Sequence, residues 1–137
     1  MAYHIFSKNT QNMAFQSEID GHTLILDTTA ENSGDDSGAS PKKVLLATLA
    51  ACTGMDVVAL LKKMRVNFSD FDIETKADLT EEHPKVFSHV SITYHIKVAE
   101  EDKAKVEKAV TLSQEKYCGI SAMLKKNSPI DFHINYL

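Results

Sequence analysis

The chain has 137 residues, 43% of them hydrophobic and 25% charged, with a formal net charge of −4. That balance belongs to a folded globular chain and excludes a disordered one. The length suits a single domain over residues 1–137, and the lack of any basic cluster beyond paired lysines excludes nucleic acid as an expected partner.

The opening run, MAYHIFSKNTQ, has no charged segment leading into an apolar one. No secretory signal is predicted, and a cytoplasmic location is expected. AYHIF, MAFQSEI and HTLILD predict three short strands, the last two joined across Asp20–Gly21, a strong hairpin pair. Residues 28–39, TTAENSGDDSGA, are polar and acidic and predict a loop. Ser40 and Pro41 then open a helix, serine as the cap and proline where its missing N–H has no partner to lose.

Val44, Leu45, Ala47, Thr48, Ala51, Cys52, Met55, Val58 and Leu61 follow the helical period. The other side adds Leu46, Leu49, Ala50, Val57 and Leu60, so the helix is apolar nearly all round. Such a helix must be covered on every side. A chain this small is expected to need a second copy of itself to do so. Its longest uncharged apolar run, Val44–Met55, is shorter than the roughly 20 residues of a membrane span, so no membrane is expected.

FDIETKADL alternates, with Phe71, Ile73, Thr75, Ala77 and Leu79 on one face. VFSHVSITYHIKV does the same with Val86, Val90, Ile92, Tyr94, Ile96 and Val98. They predict an antiparallel pair around TEEHPK. DKAKVEKAVTLSQEKY predicts a second helix with Val106, Ala109, Val110, Ser113 and Tyr117 inward. CGISAMLKK predicts a short third helix, and IDFHINYL a closing strand. The fold class is α+β.

Only two cysteines are present, Cys52 and Cys118. Without an export signal they read as free thiols or a redox pair rather than a structural disulfide. Cysteine is common in cores, but Gly54, two residues on, costs about 1 kcal/mol in a helix interior and implies close backbone approach or a break at the thiol. Cys118 stands where one helix ends and the next begins, and helix N-termini lower thiol pKa values. The histidines lack metal-ligand spacing. There is no Gly-x-Ser-x-Gly elbow and no phosphate loop after a strand. No metal and no cofactor are expected.

The acidic glycine loop, then SPKKVLLATLAACTGMDVVALLKK, then LSQEKYCGISAML, closely resembles the OsmC/Ohr family along essentially the whole chain. The resemblance implies antiparallel sheets packed around long central helices in an intertwined homodimer. It also implies peroxiredoxin-like chemistry in oxidative-stress defence. Cys52 would be the peroxidatic thiolate that forms a sulfenic acid with a hydroperoxide, and Cys118 the resolving thiol. An external dithiol would reduce the resulting disulfide. The family pairs its reactive cysteine with an arginine and a glutamate. Here the N-terminal strands hold no arginine, and the glutamate position falls at Lys42 or Lys43, so the sequence is more similar to the OsmC-like branch than to efficient hydroperoxide reductases. Lys42, Lys43, Thr53 and Asp56 become supporting residues, with Asp56 one turn from Cys52 and opposed to thiolate formation. A second reading keeps the dimer cleft as a holder for a small hydrophobic ligand, without catalysis.

Overall fold

Asp20 and Gly21 both have positive φ, 52° and 81°, the primed turn that lets two twisted strands fold back on each other. A computed structural model describes all residues, 1–137, and the chain clusters into two compact units, Met1–Leu45 and Leu46–Leu137.

In the N-terminal unit β1 (Ser7–Gln11), β2 (Ala14–Ile19) and β3 (His22–Leu26) form an antiparallel sheet in chain order. The hairpin across Asp20–Gly21 is present, with Ile19 paired to His22. The first strand is displaced from its predicted place at AYHIF to the polar SKNTQ. Its cause is a two-residue turn rather than apolar alternation. Asn12 takes φ 48°, and the Asn9 amide donates to the carbonyls of Asn12 and Ala14, each at 2.9 Å.

The acidic loop after β3 is ordered by Asp27, whose side chain is buried beneath it. Its carboxylate accepts from the N–H groups of Thr28 (2.7 Å), Asp35 (3.3 Å) and Ser37 (3.0 Å), and from the Ser37 hydroxyl (2.7 Å). Those donors, Ser37 first, favour the charged form and lower the Asp27 pKa to about 2. Gly38 is required here, because a Cβ would overlap the Ile25 carbonyl.

The helix that follows, α1 (Pro41–Lys63), starts as read, with the Val44 N–H donating to the Ser40 carbonyl. In the C-terminal unit it buries one i, i+4 stripe, Leu49, Thr53, Val57 and Leu61, while Ala51, Met55 and Ala59 are exposed. By length and composition the helix is apolar enough to cross a membrane, with a mean hydropathy of 2.1 over its best 18-residue window. The uncharged run Val44–Met55 is shorter than this window because Asp56 interrupts it. The buried stripe nonetheless packs into a core of sheet and helix residues.

Arg65 ends the helix in the left-handed region (φ 58°). Its N–H donates to the Lys62 carbonyl and that of Val66 to the Leu61 carbonyl, the paired bonds of a Schellman stop.

β4 (Phe68–Leu79) and β5 (Phe87–Val98) pair antiparallel, as expected. Val90, Ile92, Tyr94 and Ile96 are fully buried, but a register shift near Leu79 turns Phe87 inward and leaves Val86 exposed. α2 (Lys103–Leu112), a turn with i→i+5 bonding (Ser113–Tyr117) and α3 (Gly119–Lys125) cross over to β6 (Ile130–Tyr136). β6 lies on the other side of β5 and runs parallel to it. The sheet is therefore mixed rather than wholly antiparallel, because a parallel pair needs a long crossover and the helical segment supplies one. The architecture is α+β, with two three-stranded sheets and three α-helices.

The wide turn also corrects the face of the second helical segment. Ser113 stays inward, but Tyr117 is half exposed and Gln114 is buried in its place. An i→i+5 turn holds more residues than 3.6, so the apolar period slips by about one position.

Candidate functional site

Cys52 lies one residue before the buried Thr53 on α1, and its half-buried side chain packs against the core. Cys118 sits between the wide turn and α3, with its backbone extended (φ −74°, ψ 100°) and its side chain 3% exposed. The two thiols are free and adjacent. Cys52 stands near enough to Cys118 to be among the groups that raise its pKa.

Burial dominates the Cys118 thiol and pushes its pKa up to about 11. The Ser121 N–H, 3.4 Å from Sγ at the start of α3, works the other way. The Cys52 hydrogen bond and charge, then the charge of Asp56, reinforce the rise. The reading that a helix start lowers this thiol's pKa is therefore corrected. One N–H from a seven-residue helix does not offset removal from water.

Beside the thiols runs a buried polar network. The Thr53 hydroxyl is 2.6 Å from the Tyr94 hydroxyl and 2.7 Å from that of Ser113, which donates to Asp56 Oδ2 at 2.9 Å. The Gln114 amide nitrogen reaches both Thr53 Oγ1 (3.2 Å) and the Tyr94 hydroxyl (3.0 Å). Its amide oxygen accepts from Ser121 Oγ at 2.6 Å.

The donor inventory fixes the direction of the chain. Ser113 has one hydroxyl proton, committed to Asp56, so Thr53 donates to Ser113 and Tyr94 donates to Thr53. Protons are thus ordered Tyr94 to Thr53 to Ser113 to Asp56. Every buried side-chain nitrogen and oxygen has a partner, the condition under which a buried network rigidifies a core rather than weakening it. The Tyr94 pKa is raised by burial, partly offset by its hydrogen bonds with Thr53, to which it donates, and with Gln114, from which it accepts. Its ring stands edge-on to Phe132, with centroids 6.3 Å apart.

Of the residues singled out in the sequence, Cys52, Thr53, Asp56 and Cys118 converge here. Lys42 and Lys43 are exposed in the first turn of α1, about three turns before Cys52 along the helix. Tyr94, Ser113, Gln114 and Ser121 were missed as site residues. Their signal was polar groups at inward positions, Ser113 on the apolar face of its helix and Tyr94 on that of its strand.

Gly54 also has a different reason from the one expected. A Cβ there would stand 3.0 Å from Ile73 Cδ1, so the close approach is between α1 and β4, and the glycine seats the helix on that strand. Along the same contact lies an open groove of about 650 Å³, lined among others by Ala50, Met55, Val58 and Phe71; neither cysteine lines it.

The family profile described as OsmC-like protein matches residues 34–133. Protein YhfA of Escherichia coli K12 is 34% identical over 106 residues, which cover 77% of this chain and 76% of that protein. Among solved structures, a hypothetical protein from Aquifex aeolicus superposes with a TM-score of 0.82 at 28% identity, covering 100% of this chain and 98% of that one. An organic hydroperoxide resistance protein OsmC from Legionella pneumophila gives 0.68 at 18% identity, with 98% of each chain covered, and shares the fold. With the profile running through both cysteines, the chain belongs to the OsmC-like family.

Proposed function

We propose that the protein is a thiol-dependent peroxide reductase working as a homodimer. Cys52 attacks the O–O bond of a hydroperoxide, becoming a sulfenic acid and releasing the alcohol. Cys118 then displaces the hydroxyl as water, forming a Cys52–Cys118 disulfide, and an external dithiol returns both sulfurs to thiols. The observation that carries this reading is the adjacency of two free thiols, one half-buried and one fully buried. A sulfenic acid stays reversible when a second thiol captures it before further oxidation.

The difference between the cysteines supports the assignment of roles. The more accessible sulfur meets the peroxide, and the buried one, protonated at neutral pH, waits for the sulfenic acid. Adding cumene hydroperoxide to the reduced protein consumes both thiols and leaves a Cys52–Cys118 disulfide on peptide mapping. Cys118→Ser stops at a Cys52 sulfenic acid that dimedone traps. Free thiols remaining after excess peroxide overturn the reading.

The groove favours a second reading, a binding module for a small hydrophobic ligand. Its apolar lining on α1 and β4 lies apart from the cysteines, so binding there is independent of the thiols. That reading expects a Cys52→Ser variant to bind a fluorescent fatty-acid probe as the parent does. Loss of probe binding in Val58→Asp would locate the ligand in the groove.

A further inference from the structure

The segment that delivers Cys118 is tied to the helix that carries Cys52 by hydrogen bonds that the chemistry above does not use. Ser113 holds both ends. Its carbonyl accepts from the Cys118 N–H at 2.7 Å, and its hydroxyl bridges Thr53 and Asp56, the residue next to Cys52 and the one a turn beyond it on α1. On the other side of Cys118, the Ser121 N–H meets the sulfur while the Ser121 hydroxyl is fixed by Gln114, itself anchored on Thr53 and Tyr94. The Lys125 ammonium donates to the Gln114 carbonyl at 2.8 Å, closing the turn from outside.

Cys118 is therefore gripped at its nitrogen and at its sulfur by two serines that share one anchor. The wide turn over Ser113–Tyr117 is what brings both Ser113 and Gln114 inward to that anchor. A regular α-turn at this place would direct Tyr117 inward instead.

We propose that Thr53, Ser113, Gln114 and Ser121 are positioning residues that hold Cys118 against Cys52, so that closing the disulfide requires little further ordering of the chain. The proposal deepens the assignment of Cys118 as resolving thiol and rests on it for its purpose, though not for its test. Holding two reacting groups together raises the effective concentration of one at the other, and a thiol pair reports that quantity directly.

The test equilibrates the full-length protein with mixtures of reduced and oxidised glutathione. Two protein thiols and one oxidised glutathione give the Cys52–Cys118 disulfide and two reduced glutathiones, so the equilibrium constant is the effective concentration. Thr53→Val keeps the side-chain shape without the hydroxyl and is expected to lower it by about tenfold or more. Thr53→Ser restores the hydroxyl and is expected to stay within about twofold of the parent. Ser121→Ala removes the grip through Gln114 and carries the same expectation as Thr53→Val, so the test does not hang on one variant folding.

Val57→Ala opens the same buried stripe of α1 without touching the network, and is expected to lower thermal stability while keeping the parent's effective concentration. An unchanged value in Thr53→Val and Ser121→Ala, or an equal fall in Val57→Ala, overturns the proposal. A parent protein that closes the disulfide with glutathione but ignores peroxide removes the peroxide reading and leaves the clamp standing. A parent that forms no disulfide at any glutathione ratio removes both.

Discussion

Cys118 shows how one side chain's surroundings decide its chemistry. Burial outweighs the nearby N–H, so the folded protein keeps this thiol protonated up to about pH 11. The unfolded chain loses the proton near the ordinary thiol value of about 8.5. Stability from this group is therefore complete below that ordinary value and falls as pH rises toward about 11, because unfolding releases a proton in that window. Urea midpoints measured from pH 8 to 11 are expected to fall more steeply for the parent than for Cys118→Ala; parallel curves would sink the assignment. The cysteines were legible in the sequence because sulfur chemistry has few residues to choose from. Thr53 and Asp56 were legible because they break an apolar run. Gln114 and Tyr94 were not, since one depends on a non-α turn and the other on what faces a strand from another element.

Among the elements, the end of α1 carries a removable strain. Arg65 supplies the left-handed residue of the Schellman stop, a conformation glycine adopts freely and other residues at a cost of about 1 kcal/mol. Its side chain is exposed, so little packing is lost on removal. Arg65→Gly is expected to stabilise the protein by roughly 0.5–1 kcal/mol, read as a Tm a few degrees higher by calorimetry. A lower Tm would mean that the arginine side chain contributes more than its backbone costs. The long elements were readable from periodicity: α1, β4, β5 and α2 all alternate or repeat over enough residues to be unambiguous. β1 was not, because SKNTQ has no apolar face and owes its strand to the turn beside it. The parallel placement of β6 was hidden too, since an alternating segment pairs equally well in either direction.

At the scale of the whole molecule, the exposed side of α1 is the feature that calls for a partner. Ala51, Met55 and Ala59 repeat at helical spacing, and Met55 is 71% exposed in the single chain. In the proposed homodimer a second copy of the same face would cover it, since two-fold dimers pair a surface with itself. Sedimentation equilibrium is expected to give about twice the chain mass of 15.2 kDa for the parent, and the single-chain mass for Met55→Asp. A parent that sediments as one chain, with Met55 exposed in solution, rules the homodimer out.

The parallel pairing of β6 with β5 also sets an order of events during synthesis. β4 and β5 are close in sequence, so they are expected to pair as soon as both have left the ribosome. The far edge of β5, however, stays unprotected until the two helices have formed and Ile130–Tyr136 has emerged. For that interval the growing polypeptide offers bare backbone beside its most deeply buried strand, the circumstance in which neighbouring nascent chains stick to one another.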